Sequence, residues 1–235
     1  MLVGKVAMVI PIMMSEKMEM LRGISNDDHW YQYLYRQMDT EKLEDFAKNK
    51  LRIATFNYDR SLEQFLFRAL VTTYDAQPRF VAEVLQRIPI CHLHGSLGQL
   101  PQLSKDGGRK YDPTLTIEEV EKCAEKVKII SDVGEHLAAF EMVREWLNDV
   151  DQVIFLGFGY HRANIDRLRL LSNGVFMERR KQKHVPVLGA FYGMTPLEQE
   201  TAVGRLDNTL ERNLTRGALL GMRTLQFLRE HVSFE

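Results

Sequence analysis

Four times along this chain a short, β-branched apolar run stops at a polar or glycine turn beside a helical pattern. Residues 51–56 (LRIATF) run into Asn57-Tyr58-Asp59, and a helix is expected over 61–70. Residues 78–87 read as a short helix, 88–93 as a strand, and His94-Gly95-Ser96 as the turn at its end. Residues 152–156 (QVIFL) form a third strand, Gly157-Phe158-Gly159-Tyr160 its turn, and 164–171 a helix. A fourth strand over 185–192 ends at Gly193, and Pro196 suits the first turn of the next helix. Strands that alternate with helices pair in parallel, because each crossover returns the chain to the same end of the sheet. Ligands of such sheets bind at the carboxyl ends of the strands, where all four turns lie.

The amino terminus needs a separate argument. Residues 1–14 (MLVGKVAMVIPIMM) are almost entirely apolar, yet a membrane-spanning helix needs about 20 such residues. Here the run stops at Ser15, Glu16 and Lys17. No basic leader or small-residue cleavage site marks a signal peptide. Six of the eleven methionines fall in the first twenty positions, and methionine is a flexible filler of cores. The segment therefore reads as a buried helix, with a strand over 5–10 as the alternative. Residues 27–49 are helical in pattern, with Trp30, Tyr31, Leu34, Tyr35 and Met38 on one face, Asn26 as N-cap and a break at Asp39-Thr40.

Between the strands, 99–112 (QLPQLSKDGGRKYD) is turn-rich and reads as a surface loop. Residues 116–149 read as two amphipathic helices broken at Ser131-Asp132, a small helical insert at about 115–149. The basic stretch 176–184 (FMERRKQKH) reads as a solvated loop, since no aromatic residues interleave it as a nucleic-acid surface would require. The 31 basic and 32 acidic side chains give a formal net charge of −1. Such a balance offers no general attraction to nucleic acid or an anionic membrane. Cys91 and Cys123 are too few for a disulfide framework or a four-ligand zinc site, so a reducing, cytoplasmic setting is expected. At 235 residues the chain is read as a single α/β domain, a Rossmann-like parallel sheet with helices on both faces.

Each strand-end motif supports two readings. Asn57 can orient a hydroxyl or a water, because an amide both donates and accepts. Asp59 or Ser61 equally suits the cap of the following helix. His92 and His94 share one strand face, but no third ligand stands near them, which argues against a metal. His94 at the strand end fits a general base, with Gly95 admitting a ligand, or else a structural histidine. The Gly157–Tyr160 turn lacks the spacing of a dinucleotide fingerprint or a P-loop.

Taken in order, Thr55-Phe56-Asn57-Tyr58-Asp59, then His94-Gly95-Ser96, then Gly157-Phe158-Gly159-Tyr160 resemble the motifs of the sirtuin-like superfamily. The likeness is to its zinc-less bacterial branch of NAD-cleaving, anti-phage proteins, and it covers roughly residues 30 to 195. The resemblance implies that Asn57 and His94 are catalytic. It implies that Thr55, Asp59, Gly95, Ser96, Gly157, Gly159 and Tyr160 contact NAD, the substrate, and that His92 is structural. The zinc-bearing deacylases of the superfamily carry two C-x-x-C pairs that this chain lacks, so no metal and no protein deacylation are expected. No G-A-G-x-S phosphate loop precedes Asn57, and Gly4 and Gly23 stand isolated. Relative to that family the chain is expected to lack its first βα unit and to hold NAD weakly.

The expected activity is hydrolysis of NAD at the nicotinamide–ribose bond. The alternatives are a nucleotide-binding regulatory module without turnover, and a purely structural or oligomerising fragment. The expected partner is a small nucleotide, with neither nucleic acid nor membrane. A homo-oligomer or a fused sensor domain completes the set of partners considered.

Overall fold

The structure, a computed structural model, describes residues 2–22, 29–129, 137–183, 185–206 and 219–234. Two compact units emerge, Met1–Ala139 and Phe140–Glu235.

In the first unit the amino-terminal segment is helix α1 (Leu2–Ser15), not a strand over 5–10. Its apolar face finds its partner about 110 residues downstream. Val9 and Met13 are fully buried against Leu97 and against Val120, Cys123, Ala124 and Val127 at helix Ile117–Lys126. Thr116 caps that helix by accepting from the Glu119 N–H at 3.2 Å, as the T-x-x-E spacing allows. A short helix α2 (Met18–Arg22) is followed by α3 (Trp30–Met38) and α4 (Leu43–Phe46), split at Asp39-Thr40 as expected. The expected cap Asn26 lies outside the described residues; the residue before α3 is His29, whose ring accepts from the Gln32 N–H.

Strand β1 (Ile53–Thr55), α5 (Ser61–Tyr74), α6 (Pro78–Leu85) and β2 (Ile90–His92) then follow in order, and the two strands pair in parallel. The register sets Ile53 beside Ile90, Ala54 beside Cys91 and Thr55 beside His92. Both strands are shorter than the apolar runs that announce them. Ile88 is spent on the end of α6, where its N–H reaches the Leu85 carbonyl, and Pro89 has no N–H to give a ladder. At the other end Asn57 turns the chain by donating its N–H to Thr55 Oγ1 at 3.0 Å.

The loop 99–112 is the first clear departure from expectation. Its tip is exposed, but Leu100 and Tyr111 are buried, and it closes over a buried charge cluster. Glu16 and Arg60 are 0% and 1% exposed. Arg60 uses all five side-chain N–H groups: Nε and Nη2 on the Glu16 carboxylate (2.9 and 2.5 Å), Nη1 on the carbonyls of Gln99 (3.2 Å) and Arg109 (2.7 Å), and Nη2 also on that of Lys110 (3.2 Å). Arg109 Nη2 shares the same Glu16 oxygen. The loop is therefore held by charges that no hydropathy pattern reveals.

After helix α7 (Ile117–Lys126), the expected break at Ser131-Asp132 lies outside the described residues. Helix α8 (Leu137–Trp146) begins in the first unit and runs into the second, so the two helices read as one insert are divided between the units.

The second unit is built on β3 (Val153–Phe155), α9 (Arg162–Leu168), α10 (Gly174–Lys183), β4 (Val187–Ala190), α11 (Pro196–Leu206) and β5 (Leu219–Leu220). Its strands pair in parallel in the order β3-β4-β5. Arg169, in a left-handed conformation at φ 53°, ends α9 before the expected 171. The basic stretch is a helix, not a loop. Asn173 caps it through Oδ1 on the Phe176 N–H at 3.1 Å, and Phe176 and Arg180, one turn apart, are buried. Long straight-chain residues at the remaining positions favour the helix and keep their charges in solvent.

The protein is thus a mixed α/β chain with parallel strand pairs, arranged in two small sheets. Among the described residues no helix is long and apolar enough to cross a membrane.

Candidate active site

The β1–β2 register brings the two expected catalytic residues to one place in the chain's architecture. Thr55 and His92 are paired, and Asn57 and His94 each follow two residues later, at the carboxyl ends of neighbouring parallel strands. Backbone bonds continue past the ladder, from the Leu93 N–H to the Thr55 carbonyl and from the Leu97 N–H to the Tyr58 carbonyl, both 2.9 Å. The turns after the two strands are therefore fixed against each other.

Asn57 has an exposed side chain, while its carbonyl faces inward and accepts from His92 Nδ1 at 2.8 Å. His94 is buried, its ring centroid 5.6 Å from that of Phe56. Its carbonyl accepts from the Lys128 N–H at 2.8 Å, and the Tyr58 hydroxyl donates to the Lys128 carbonyl at 2.9 Å. Residues 126–128 thus lie along the His94-Gly95-Ser96 turn. That packing explains the glycine. Gly95 has φ +77°, and a Cβ there would stand 2.2 Å from the Lys126 carbonyl oxygen. Sequence reasoning assigned this close approach to a ligand; the structure gives it to the chain's own backbone. Ser96 is likewise occupied locally, its Oγ accepting from the Gly98 N–H at 3.3 Å.

Asp59 stands at the start of α5 and at the edge of a cleft. Its Oδ1 accepts from the Ser61 N–H at 3.0 Å, a turn that leads into α5 one residue ahead of the N-cap position, Arg60. It also lines a cleft of about 260 Å³ with Trp30, Tyr31, Ser61 and Tyr111. Tyr111 and Ser61 share a hydroxyl–hydroxyl bond of 2.9 Å. Burial pushes the Tyr111 phenol up to about 12, and burial together with the Asp59 charge raises Tyr31 further. Both phenols stay protonated at any physiological pH. Aromatic walls around one carboxylate suit a planar, electron-poor or cationic group.

His92, expected to be structural, carries the most specific contacts of the cluster. Besides Asn57, its Nε2 lies 2.7 Å from Glu63 Oε1, in the first turn of α5. The two side chains are 12% and 14% exposed. Burial by itself would lower the His92 pKa, but the Glu63 hydrogen bond and charge, the Asn57 carbonyl and the Asp59 charge outweigh it and leave the value raised. Glu63 was missed in the sequence. Its signal is present, an acidic residue in the first helical turn, on the side that faces the preceding strand's neighbour.

The remaining candidates belong to the second unit. Gly157 and Gly159 follow β3, and both have open space where a side chain would stand. Tyr160 belongs to the core of the second unit. It is fully buried, packed against Phe155, Phe158 and Phe191, with its hydroxyl donating to the Ala190 carbonyl at 3.4 Å. Burial raises its phenol accordingly. Among the described residues no group of three histidine, cysteine or carboxylate side chains is placed to hold a metal ion.

Fold and site together define an α/β protein whose polar cluster sits at the carboxyl ends of a parallel strand pair. Compared with known proteins, the chain matches no protein-family model, no curated protein and no solved structure.

Proposed function

We propose that this protein hydrolyses NAD at the nicotinamide–ribose bond, as a sirtuin-like, Rossmann-type α/β protein of the zinc-less, NAD-depleting kind. The reading rests on the ordered motifs of the sequence. The observation that carries it further is the shared position of Asn57 and His94 past the Thr55–His92 pair. Neighbouring strand ends are where two groups that serve one ribose would stand. Asp59 and the aromatic cleft beside it supply a place for a flat cationic ring.

In the reaction the C1′–N bond of the ribose breaks, and its electron pair returns to the nicotinamide nitrogen. The ring starts out positive, so it leaves neutral without a general acid. Oxocarbenium character develops on the ribose. Asn57 orients the attacking water and a ribose hydroxyl. His94 accepts the proton the water loses as its oxygen bonds to C1′. The products are ADP-ribose, nicotinamide and a proton. Two buried free cysteines fit a cytoplasmic, reducing setting.

The test is nicotinamide release from NAD by the wild-type protein and by Asn57→Ala and His94→Ala. The expected result is release by the wild type and loss of at least about a hundredfold in each variant, with melting temperatures retained. Equal rates in all three would overturn the assignment. A second reading, nucleotide binding without turnover, is favoured by one observation, the burial of His94. Stoichiometric ADP-ribose binding with no nicotinamide released would select it.

A further inference from the structure

We infer that His92 and Glu63 form a positioning pair for Asn57, in which an imidazolium ties the Asn57 main chain to the first turn of α5. The inference rests on the reading of Asn57 as the residue that orients water and ribose. It adds two residues to the site that the strand-end motifs do not assign.

The argument is one of hydrogen-bond direction. His92 Nδ1 meets the Asn57 carbonyl at 2.8 Å, and Nε2 meets Glu63 Oε1 at 2.7 Å. A carbonyl can only accept, and so can an ionised carboxylate. A neutral imidazole has one N–H and can satisfy one of the two. With both contacts made to acceptors, both ring nitrogens must donate, and the ring carries a positive charge. Charge-assisted bonds of this kind are the short, strong ones, in keeping with both distances. The charged groups acting on the ring are Glu63 from α5 and Asp59 from the turn after β1, both negative.

The mechanical consequence follows from position. Asn57 lies where β1 ends, with its side chain exposed and its own N–H spent on Thr55 Oγ1. Its carbonyl is gripped by a residue of β2 that is itself gripped by α5. When His92 gives up a proton, one of the two grips goes. The Asn57 carbonyl then faces either a lone pair or a weakened neutral donor, and the turn loses the contact that sets its orientation.

The experiment uses the full chain labelled with ¹⁵N-histidine and selectively at asparagine, as wild type and as Glu63→Gln, which keeps an acceptor but removes the charge. Melting temperature confirms that the variant is folded. In the wild type both His92 nitrogens are expected in the protonated range at pH 6.5, and the Asn57 side-chain amide signals should shift with the His92 titration. In Glu63→Gln both midpoints should fall together by about one pH unit or more. The alkaline limb of nicotinamide release should fall with them. A His92 ring with one unprotonated nitrogen at pH 6.5 would overturn the pair, and so would an Asn57 signal blind to the His92 titration. If the wild type releases no nicotinamide at any pH, the NAD reading fails alone, because the Asn57 resonances still decide whether the pair positions it.

Discussion

Replacing Arg60 by methionine removes the centre of the buried charge cluster. The side chain keeps much of its length and loses its charge and all five N–H donors. Bonds to charged groups are worth about 1.5–3 kcal/mol each, so simple addition over five would give roughly 8–15 kcal/mol. That sum overcounts, since removing Arg60 also removes the cost of burying its own charge. Breaking one partner from a buried ion pair costs about 3–5 kcal/mol. Glu16 and Arg60 are 0% and 1% exposed, so solvent screening takes little from that figure. Arg109 remains on the Glu16 carboxylate, which places Arg60→Met near the lower end, about 3 kcal/mol. The chain carries one tryptophan in each unit, Trp30 and Trp146. In a Trp146→Phe background, Trp30 fluorescence during urea unfolding reports the first unit alone. The expected result is a fall in that unit's stability of about 3 kcal/mol with an unchanged slope. Adding Glu16→Leu to Arg60→Met should recover part of the loss, because the uncompensated carboxylate goes with it. A single-variant cost below about 1 kcal/mol, with no coupling in the double variant, would refute the claim that this cluster is dry and organises the loop.

Three other outcomes can be measured by urea unfolding, read by Trp30 for the first unit and Trp146 for the second. Gly95→Ala should destabilise the first unit by more than about 1 kcal/mol, since a Cβ would meet the Lys126 oxygen at 2.2 Å on a backbone already at φ +77°. Gly159→Ala, with nothing within 4 Å of the added carbon, should change stability by no more than about 0.5 kcal/mol. His92 has a folded-state pKa raised above its unfolded value of about 6.5, so its stabilisation is complete below that pH. The urea midpoint of the first unit should fall as pH rises through the raised value, and Glu63→Gln should flatten that dependence.

Local pattern revealed the elements that obey a period. The turn at Asn57-Tyr58-Asp59, the split of the helices at Asp39-Thr40 and the start at Pro196 all follow from residues within one or two turns of the event they mark. What escaped was set by partners distant in sequence. Residues 176–183 look like a basic loop until Phe176 and Arg180 are seen to be buried one turn apart. Glu16 looks like the polar end of an apolar helix, and its partners stand 44 and 93 positions away. Gly95 was legible as a place of close approach, but the identity of the approaching group was not, because Lys126 belongs to another helix. The site divides in the same way. Asn57, Asp59 and His94 were visible as strand-end residues, whereas the Glu63–His92 contact required the strand pair and α5 to be brought together.

The clasp beneath the loop 99–112 also bears on how this chain tolerates change in length. The Arg109 N–H reaches the Gln99 carbonyl at 2.8 Å, and the Arg60 guanidinium bridges the carbonyls of both residues. At Gly108 a Cβ would stand 2.7 Å from the Gln99 oxygen, so backbone also packs directly on backbone at the neck. Beyond the neck, Lys105, Asp106 and Gly107 are exposed, and Gly107 has open space around it. Extra residues spliced between Asp106 and Gly107 would hang from a closed ring rather than open one. Each doubling of such a tether costs only about 0.6 kcal/mol. The tip is therefore a natural port for a peptide tag or a whole inserted domain.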